Sequence, residues 1–429
     1  MEIIERNIND IKPYPRNSKQ HKESQIKKIA ASINEFGWGQ PIVIDKKGVI
    51  IVGHGRYLAA HLLGIDKLPT LELDLDEEKA KAYRLADNKL NESNWDMEIV
   101  IEELKGMSLE MIDLTGFDSN IILETKEDKP DFSRIGKPIT EPGDLYELGE
   151  HKLICGDSCD SGTFVKLLGD KERPRLAFCD APYSIDYSSS NFNYKRKGRK
   201  EGYDYGSDKF GGMGGRIFND DKSPEEALKF YKDALKQIYD HTADDATLYW
   251  WFATRLTDIN MQALQDTNFH WSQTVIWLKN SFIYSPGQLF HRIYEPCMVA
   301  WKNGKTHYQS RTFSTYSELW TTGGLKTFQD HLDVWYQKRD NTSKYIHPTQ
   351  KPVQLAERAL KRSSEKGDIV LDAFGGSGST LIACDQLERK ARLVELDPKY
   401  CDAIVTRYCQ YKDDPTIIKN GKEIKWIMC

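Results

Sequence analysis

A chain of 429 residues with 39% hydrophobic side chains is long enough for two or three domains and apolar enough for sizeable cores. Its net charge of -5 excludes a uniformly basic nucleic-acid binder, although not a local basic surface. The eight cysteines form no Cys-x-x-Cys pair, which argues against a zinc or redox framework and for no metal, and Cys155, Cys179 and Cys384 stand in apolar runs that suit reduced thiols of a cytoplasmic protein.

From the N-terminus, Met1 to Arg6 lacks the apolar core of a signal peptide, and no apolar stretch approaches the ~20 residues of a membrane span. Residues 21–36 have the period of an amphipathic helix, ended near Gly37, and two short strands follow around residues 41–44 and 49–52. A helix over 56–63, a strand over 71–73 and helices between 77 and 107 complete a small α+β domain, taken as residues 1–120. At its strand-to-helix junction stands Gly53-His54-Gly55-Arg56-Tyr57, with Asp87-Asn88-Lys89 and Trp95-Asp96 further on. These segments resemble the ParB/sulfiredoxin-like domain. The resemblance implies an anion site in which Arg56 and a helix N-terminus converge on a phosphate, with His54 open to a purely structural reading.

Residues 121–143 mix charges with Pro130, Pro138 and Pro142, show no apolar period and read as a linker. Beyond it, from 144 to 429, strands alternate with helices, which predicts a doubly wound, mostly parallel α/β sheet. Strands are expected at 153–155, 176–179, 247–252, 273–278, 296–301, 369–371 and 392–395. Ser223-Pro224-Glu225-Glu226 offers an N-cap, a first-turn Pro and a capping-box Glu, and opens a helix to about Tyr239.

Two stretches carry chemistry. The run 175–179 ends in Asp180-Ala181-Pro182-Tyr183: an acid and freed backbone carbonyls that suit the grip on an exocyclic amine, and a ring that suits stacking on its base. The strand 368–371 runs into Asp372-Ala373-Phe374-Gly375-Gly376-Ser377-Gly378, a glycine-rich turn that lets backbone approach a nucleotide-like ligand. A dinucleotide fingerprint would put a third Gly where Leu381 stands, so the loop suits a cofactor without pyrophosphate. Glu395 ends the next strand at the spacing where an acid meets ribose hydroxyls.

Together these motifs resemble the permuted amino-methyltransferases of DNA that use S-adenosylmethionine, with the catalytic motif first and the cofactor loop last; the likeness spans residues 144–411. His347-Pro348-Thr349-Gln350-Lys351-Pro352 resembles the family segment ahead of the glycine loop, which makes Thr349 and Lys351 cofactor-side residues. Gly156-Asp157 resembles the acidic turn near the cofactor's adenine, and Asp333-Val334-Trp335 a further family marker. The resemblance implies a Rossmann-like fold, with Asp180 and the Ala181 carbonyl accepting the N–H groups of the target amine and Tyr183 stacking on a base flipped out of duplex DNA. Ala181 stands where the family usually has Pro, a looser turn that raises the alternative of an altered or lost activity. Members whose motif starts with Asp are mostly adenine-N6 enzymes, which favours adenine N6 over cytosine N4 by analogy.

Positive charge gathers in two insertions. Residues 186–216 hold seven basic side chains, among them Lys195, Arg196, Lys197, Arg199 and Lys200, against four acids. Residues 302–346, where the family carries its target-recognition region, hold seven, with Arg311, Lys338 and Arg339, against four acids. Both are candidate contacts to the phosphates of double-stranded DNA. The expected protein is an adenine-N6 DNA methyltransferase of the restriction-modification or phage-borne kind, with no membrane partner and its oligomeric state open, a homodimer included. The alternatives are a cytosine-N4 enzyme, a ParB-like binding protein with a degenerate methyltransferase fold, and an RNA methyltransferase.

Overall fold

A computed structural model describes residues 2–15, 17, 21–90, 97–115, 117, 122–123, 125–133, 135–184, 222–283, 289–309, 332–338 and 350–427. The chain forms two compact units, Met1–Ile122 and Leu123–Cys429. No described helix is long and apolar enough to cross a membrane.

The first unit is a four-stranded sheet with helices. In chain order come β1 (Ile3–Asn7), α1 (Glu23–Phe36), β2 (Ile42–Asp45), β3 (Ile50–Val52), α2 (His54–Leu63), β4 (Lys67–Leu73), α3 (Glu77–Leu90), α4 (Met97–Leu104) and α5 (Leu109–Thr115). The sheet order is β1-β4-β2-β3, with β2 and β4 parallel. Its core is built by Ile42, Ile44 and Ile50 of the inner strands with Ile8, Ile11, Ala60 and Leu68. The edge strand β1 has no buried residue, so it carries no apolar run that a sequence scan could find.

The second unit opens with β5 (Leu145–Leu148), β6 (His151–Cys155), α6 (Ser161–Leu168), β7 (Leu176–Asp180), α7 (Pro224–His241) and β8 (Thr247–Trp251). It continues through α8 (Thr257–Asp266), β9 (Phe269–Ile283), β10 (Arg292–Lys302), β11 (Val334–Tyr336) and α9 (Val353–Ser363). Then follow β12 (Ile369–Asp372), α10 (Ser379–Gln386), β13 (Lys390–Glu395), α11 (Pro398–Lys412), β14 (Thr416–Lys419) and β15 (Lys422–Lys425). All form one sheet, ordered β11-β9-β10-β8-β7-β12-β13-β6-β5-β14-β15. The central strands β8-β7-β12-β13-β6 are parallel. Around them β10 and β5 pair antiparallel, so the parallel core is carried between antiparallel flanks.

Because the central strands are covered on both faces, they read as continuous apolar runs. Successive residues feed opposite cores: Leu176 and Phe178 of β7 pack with α9, α10 and α11, whereas Ala177 and Cys179 pack with α6, α7 and α8. Burial on both sides explains why β7 has four consecutive apolar residues before its acid. All seven cysteines among the described residues are free thiols, six of them fully or nearly fully buried in these two cores and none paired.

The start of α7 matches its sequence signature. The Ser223 hydroxyl accepts the Glu226 N–H, and the Glu226 carboxylate accepts the Ser223 N–H. Ser223→Ala should therefore cost about 1 kcal/mol of unfolding free energy in a denaturant titration. An unchanged midpoint would show the cap to be dispensable.

Residues 125–133 and 135–140, expected as part of a linker, are instead hydrogen-bonded along the second unit. Thr125 donates its N–H and its hydroxyl to Glu357 at 2.8 Å, and the N–H groups of Ile139 and Thr140 reach Asp402 at 2.9 and 3.1 Å. These are polar contacts, which leave no hydrophobic period in the sequence.

Candidate active site

The chain passes from β6 to β7 and returns later to lay β12 between β7 and β13, so the carboxyl ends of β7 and β12 lie side by side. In an open α/β sheet such a reversal of strand order leaves a crevice. One cleft occupies it, lined by Asp180-Ala181-Pro182-Tyr183, by Gln350 and Lys351, by Asp372 to Ser377, and by Glu395 and Asp397.

At one end, Asp180 is held by its Oδ2, which lies 2.5 Å from the Lys351 ammonium. Its Oδ1 is buried and has no hydrogen-bond partner among the described residues. Lys351 also donates to the Tyr183 hydroxyl at 3.2 Å, and that hydroxyl donates to Glu295 Oε2 at 3.3 Å. The other oxygen of Glu295 takes the buried ammonium of Lys279. Two acids and two lysines thus alternate beside the Tyr183 hydroxyl, and the Lys351 ammonium sits over the rings of Tyr183 at 5.4 Å and Trp251 at 5.2 Å. Burial pushes the Asp180 carboxyl above the usual carboxylate range, and Lys351 opposes that rise. For Lys351, burial pulls the ammonium down but Asp180 and Glu295 outweigh it, so it stays charged. The turn beyond is fixed by Tyr231, whose hydroxyl donates to the Pro182 carbonyl at 2.8 Å.

At the other end the glycine loop joins β12 to α10. Gly378 caps α10 in a left-handed conformation, φ 77°, and a Cβ there would meet Ile404 at 3.2 Å. Gly375 faces the same side chain at 3.1 Å, so any larger residue would push the loop off α11. Glu395 closes the loop: its two oxygens accept the N–H groups of Gly376 at 2.7 Å and Asp397 at 2.9 Å. Burial pushes the carboxyls of both Glu395 and Asp372 up to about 7.

Of the residues expected from sequence, Asp157, Lys351, Asp372, Phe374, Gly375, Gly376, Ser377 and Glu395 line the cleft with the four-residue motif at Asp180. Gly378 supports it from the helix cap. Lys351 differs from its expected place, because its ammonium is turned to Asp180 rather than toward the glycine loop. Thr349, Lys195, Arg196, Lys197, Arg199, Lys200, Arg311 and Arg339 lie outside the described residues; Lys338 is exposed beyond β11. Sequence reasoning missed Glu295 and Lys279. The expected strands stopped at Leu278 and began at Pro296, each one residue short of a charge that the pairing of β9 with β10 buries.

In the first unit Gly53 precedes α2 with φ 106°, a conformation that favours glycine. His54 Nε2 accepts the Tyr14 N–H at 3.1 Å, and burial pushes its pKa down to about 4. A neutral acceptor that pins the N-terminal segment is the structural role left open by the sequence. The Arg56 guanidinium donates to the Gln40 side chain.

Residues 175–406 match the N6_N4_Mtase family, described as DNA methylase. The chain belongs to this DNA methylase family. Residues 1–89 match the ParB N-terminal domain. ParB-like nuclease domain-containing protein YnaK of Escherichia coli (strain K12) is 39% identical over 83 residues, 19% of this chain and 95% of that protein. Type II methyltransferase M.Cfr9I of Citrobacter freundii is 29% identical over 148 residues, 34% of this chain and 46% of that protein. The chain spans less than half the length of the type II methyltransferases it matches. The crystal structure of an M1.HpyAVI-SAM complex aligns with a TM-score of 0.41 and 16% identity, over 59% of this chain and 97% of that one.

The cofactor of this methylase is S-adenosylmethionine, and the cleft fits it. Five carboxylates, Asp157, Asp180, Asp372, Glu395 and Asp397, line it against the single lysine Lys351. Even with Asp372 and Glu395 partly protonated near neutral pH, this acidic lining disfavours a pyrophosphate and suits a ligand with a sulfonium and an ammonium. Gln350 Oε1, buried without a partner among the described residues, is a further acceptor for such a ligand.

Proposed function

We propose that the methylase transfers a methyl group to N6 of an adenine flipped out of duplex DNA, with Asp180 and the Ala181 carbonyl as the two acceptors of the amine. The observation that carries this reading is Asp180 Oδ1, a buried acceptor with no partner among the described residues, on a carboxylate whose other oxygen is fixed by Lys351. The neighbouring Pro182 carbonyl is already occupied by Tyr231, which leaves that of Ala181 for substrate.

When bound, S-adenosylmethionine supplies an electrophilic methyl on its sulfonium. The amine of adenine is a weak nucleophile, because its lone pair is delocalised into the ring. Accepting both N–H hydrogens at Asp180 and Ala181 draws the nitrogen toward a pyramidal geometry and frees that lone pair for in-line attack. As the N–C bond forms and the S–C bond breaks, positive charge grows on nitrogen beside the Asp180 carboxylate. The surplus proton then passes to Asp180 or water. Tyr183 supplies a stacking face for the flipped base, worth ~1–3 kcal/mol. Its hydroxyl, held between Lys351 and Glu295, fixes the ring plane.

The choice of adenine rests on the Asp that opens the motif. Incubating DNA with the protein and labelled S-adenosylmethionine, then digesting to nucleosides, should yield N6-methyladenine. N4-methylcytosine would reassign the base, and cofactor binding without product on any DNA would mark the fold as a binding module.

We assign ribose recognition to Glu395. Glu395→Gln should weaken S-adenosylmethionine binding by about tenfold, the loss of a charged acceptor. In the unaltered protein the affinity should fall as the pH drops from 8 to 6, because protonation near 7 removes the anionic acceptor. Calorimetric titration at both pH values tests this, and equal affinities at the two would remove Glu395 from ribose recognition.

A further inference from the structure

Two residues beyond the matched segment 175–406, Asp128 and Arg407, meet behind the cofactor loop. Arg407 of α11 is 2% exposed and forks onto Asp128, Nε to Oδ2 at 2.7 Å and Nη2 to Oδ1 at 2.5 Å. Its remaining nitrogen, Nη1, donates to the Ser377 carbonyl at 2.7 Å and to the Ser379 hydroxyl at 3.2 Å. The Ser379 hydroxyl in turn donates to the Lys351 carbonyl at 2.6 Å. One buried guanidinium therefore ties the glycine loop and the segment that carries Lys351 to a single carboxylate. Ser377 and Lys351 both line the cleft.

Asp128 is itself held in place from both sides. Thr125 is fixed on Glu357 of α9, and the Lys126 backbone exchanges hydrogen bonds with the Gln386 amide at 2.6 and 3.0 Å. The Gln354 N–H donates to Glu127 at 3.0 Å, and the Asp131 backbone exchanges hydrogen bonds with Gln410 at 2.8 and 2.7 Å. The segment thus clamps α9, α10 and α11, the helices around the cofactor loop.

We propose that residues 125–131 form a strap, and that Asp128 is a positioning residue which sets the glycine loop through Arg407. A buried guanidinium is retained only while its charge is paired and its donors are satisfied. Without the Asp128 carboxylate, Arg407 is drawn toward water, and the Ser377 carbonyl and Ser379 hydroxyl lose their donor. The loop then samples conformations that do not bind the cofactor, and affinity falls by the fraction of time spent in them. This inference rests on the assignment of the glycine loop to S-adenosylmethionine.

The test uses the full chain with Asp128→Asn and, separately, Arg407→Lys, which keeps a cation but cannot fork and reach Ser377 together. Ser223→Ala, at a residue that does not line the cleft, serves as a control of lowered stability. Calorimetry should show S-adenosylmethionine bound about tenfold more weakly by both strap variants, the loss of a charge-assisted contact network. Ser223→Ala should retain the unaltered affinity. Amide hydrogen exchange should speed up over residues 373–380 and stay unchanged over β7 and β8. If one strap variant fails to fold, the other carries the same comparison. Unaltered affinity together with unaltered loop exchange in a folded variant overturns the proposal. Failure of the unaltered protein to bind S-adenosylmethionine overturns the cofactor assignment instead, while the exchange measurement still reports on the strap.

Discussion

Asp180→Ala is expected to lower methyl transfer by on the order of 10²–10³-fold or more while leaving S-adenosylmethionine binding within about threefold, as for loss of a preorganised group facing developing charge. Asp180 ends β7 in the lining of the cleft, and its Oδ1, without a partner among the described residues, is the acceptor that the amine needs. Alanine removes that acceptor and also the carboxylate opposite the growing positive charge on nitrogen. The site should nevertheless hold its shape, because Lys351 keeps Glu295 as a partner, at 3.5 Å, and the Tyr183 hydroxyl at 3.2 Å. Asp180→Asn is a second probe: its amide preserves size but presents donors to an amine that is itself a donor. Transfer of labelled methyl to DNA, with calorimetry on the same preparations, separates chemistry from cofactor binding. Incorporation within tenfold of the unaltered protein would remove Asp180 from the mechanism.

How far the sequence reached follows from what each part is made of. The central strands were legible because burial on both faces leaves unbroken apolar runs, and α7 because its cap uses three diagnostic residues, Ser223, Pro224 and Glu226, within four positions. Asp180 and the glycine loop were legible as motifs, since a strand end followed by Pro, or by closely spaced glycines, constrains the backbone whatever surrounds it. The flanks were not. β5 lies in a short segment with alternating exposure, and β14 and β15 carry only one fully buried residue between them, Ile417. The signal for that hairpin is Asn420-Gly421, both at positive φ, the turn that two antiparallel strands prefer. The partners of Lys351 and Arg407 were out of reach for another reason. Glu295 and Asp128 look like ordinary surface acids in sequence, and only the pairing of β9 with β10, or the docking of residues 125–131, buries them against a cation.

Lys351→Met should lower kcat/KM at neutral pH by about 10–100-fold, an effect sized by the cost of leaving a buried charge unpaired, and move the acid limb of the pH profile upward. The direction follows from the carboxylate being the active form. Burial already raises the Asp180 carboxyl, and the Lys351 ammonium is the largest influence holding it down. Remove the ammonium and the carboxyl rises further, so at pH 7 more of the protein carries a protonated Asp180 that no longer balances the charge on the amine. Activity should return in part as the pH is raised and the carboxylate reforms. Lys351→Arg, which keeps the charge, should leave the limb closer to its original place. The same variants decide between two roles for this residue. If Lys351 acts mainly on the cofactor, as its place in the segment before the glycine loop suggests, Lys351→Met raises the KM for S-adenosylmethionine and the acid limb stays fixed. If it acts through Asp180, as the 2.5 Å contact indicates, the limb moves and the KM for the cofactor changes little.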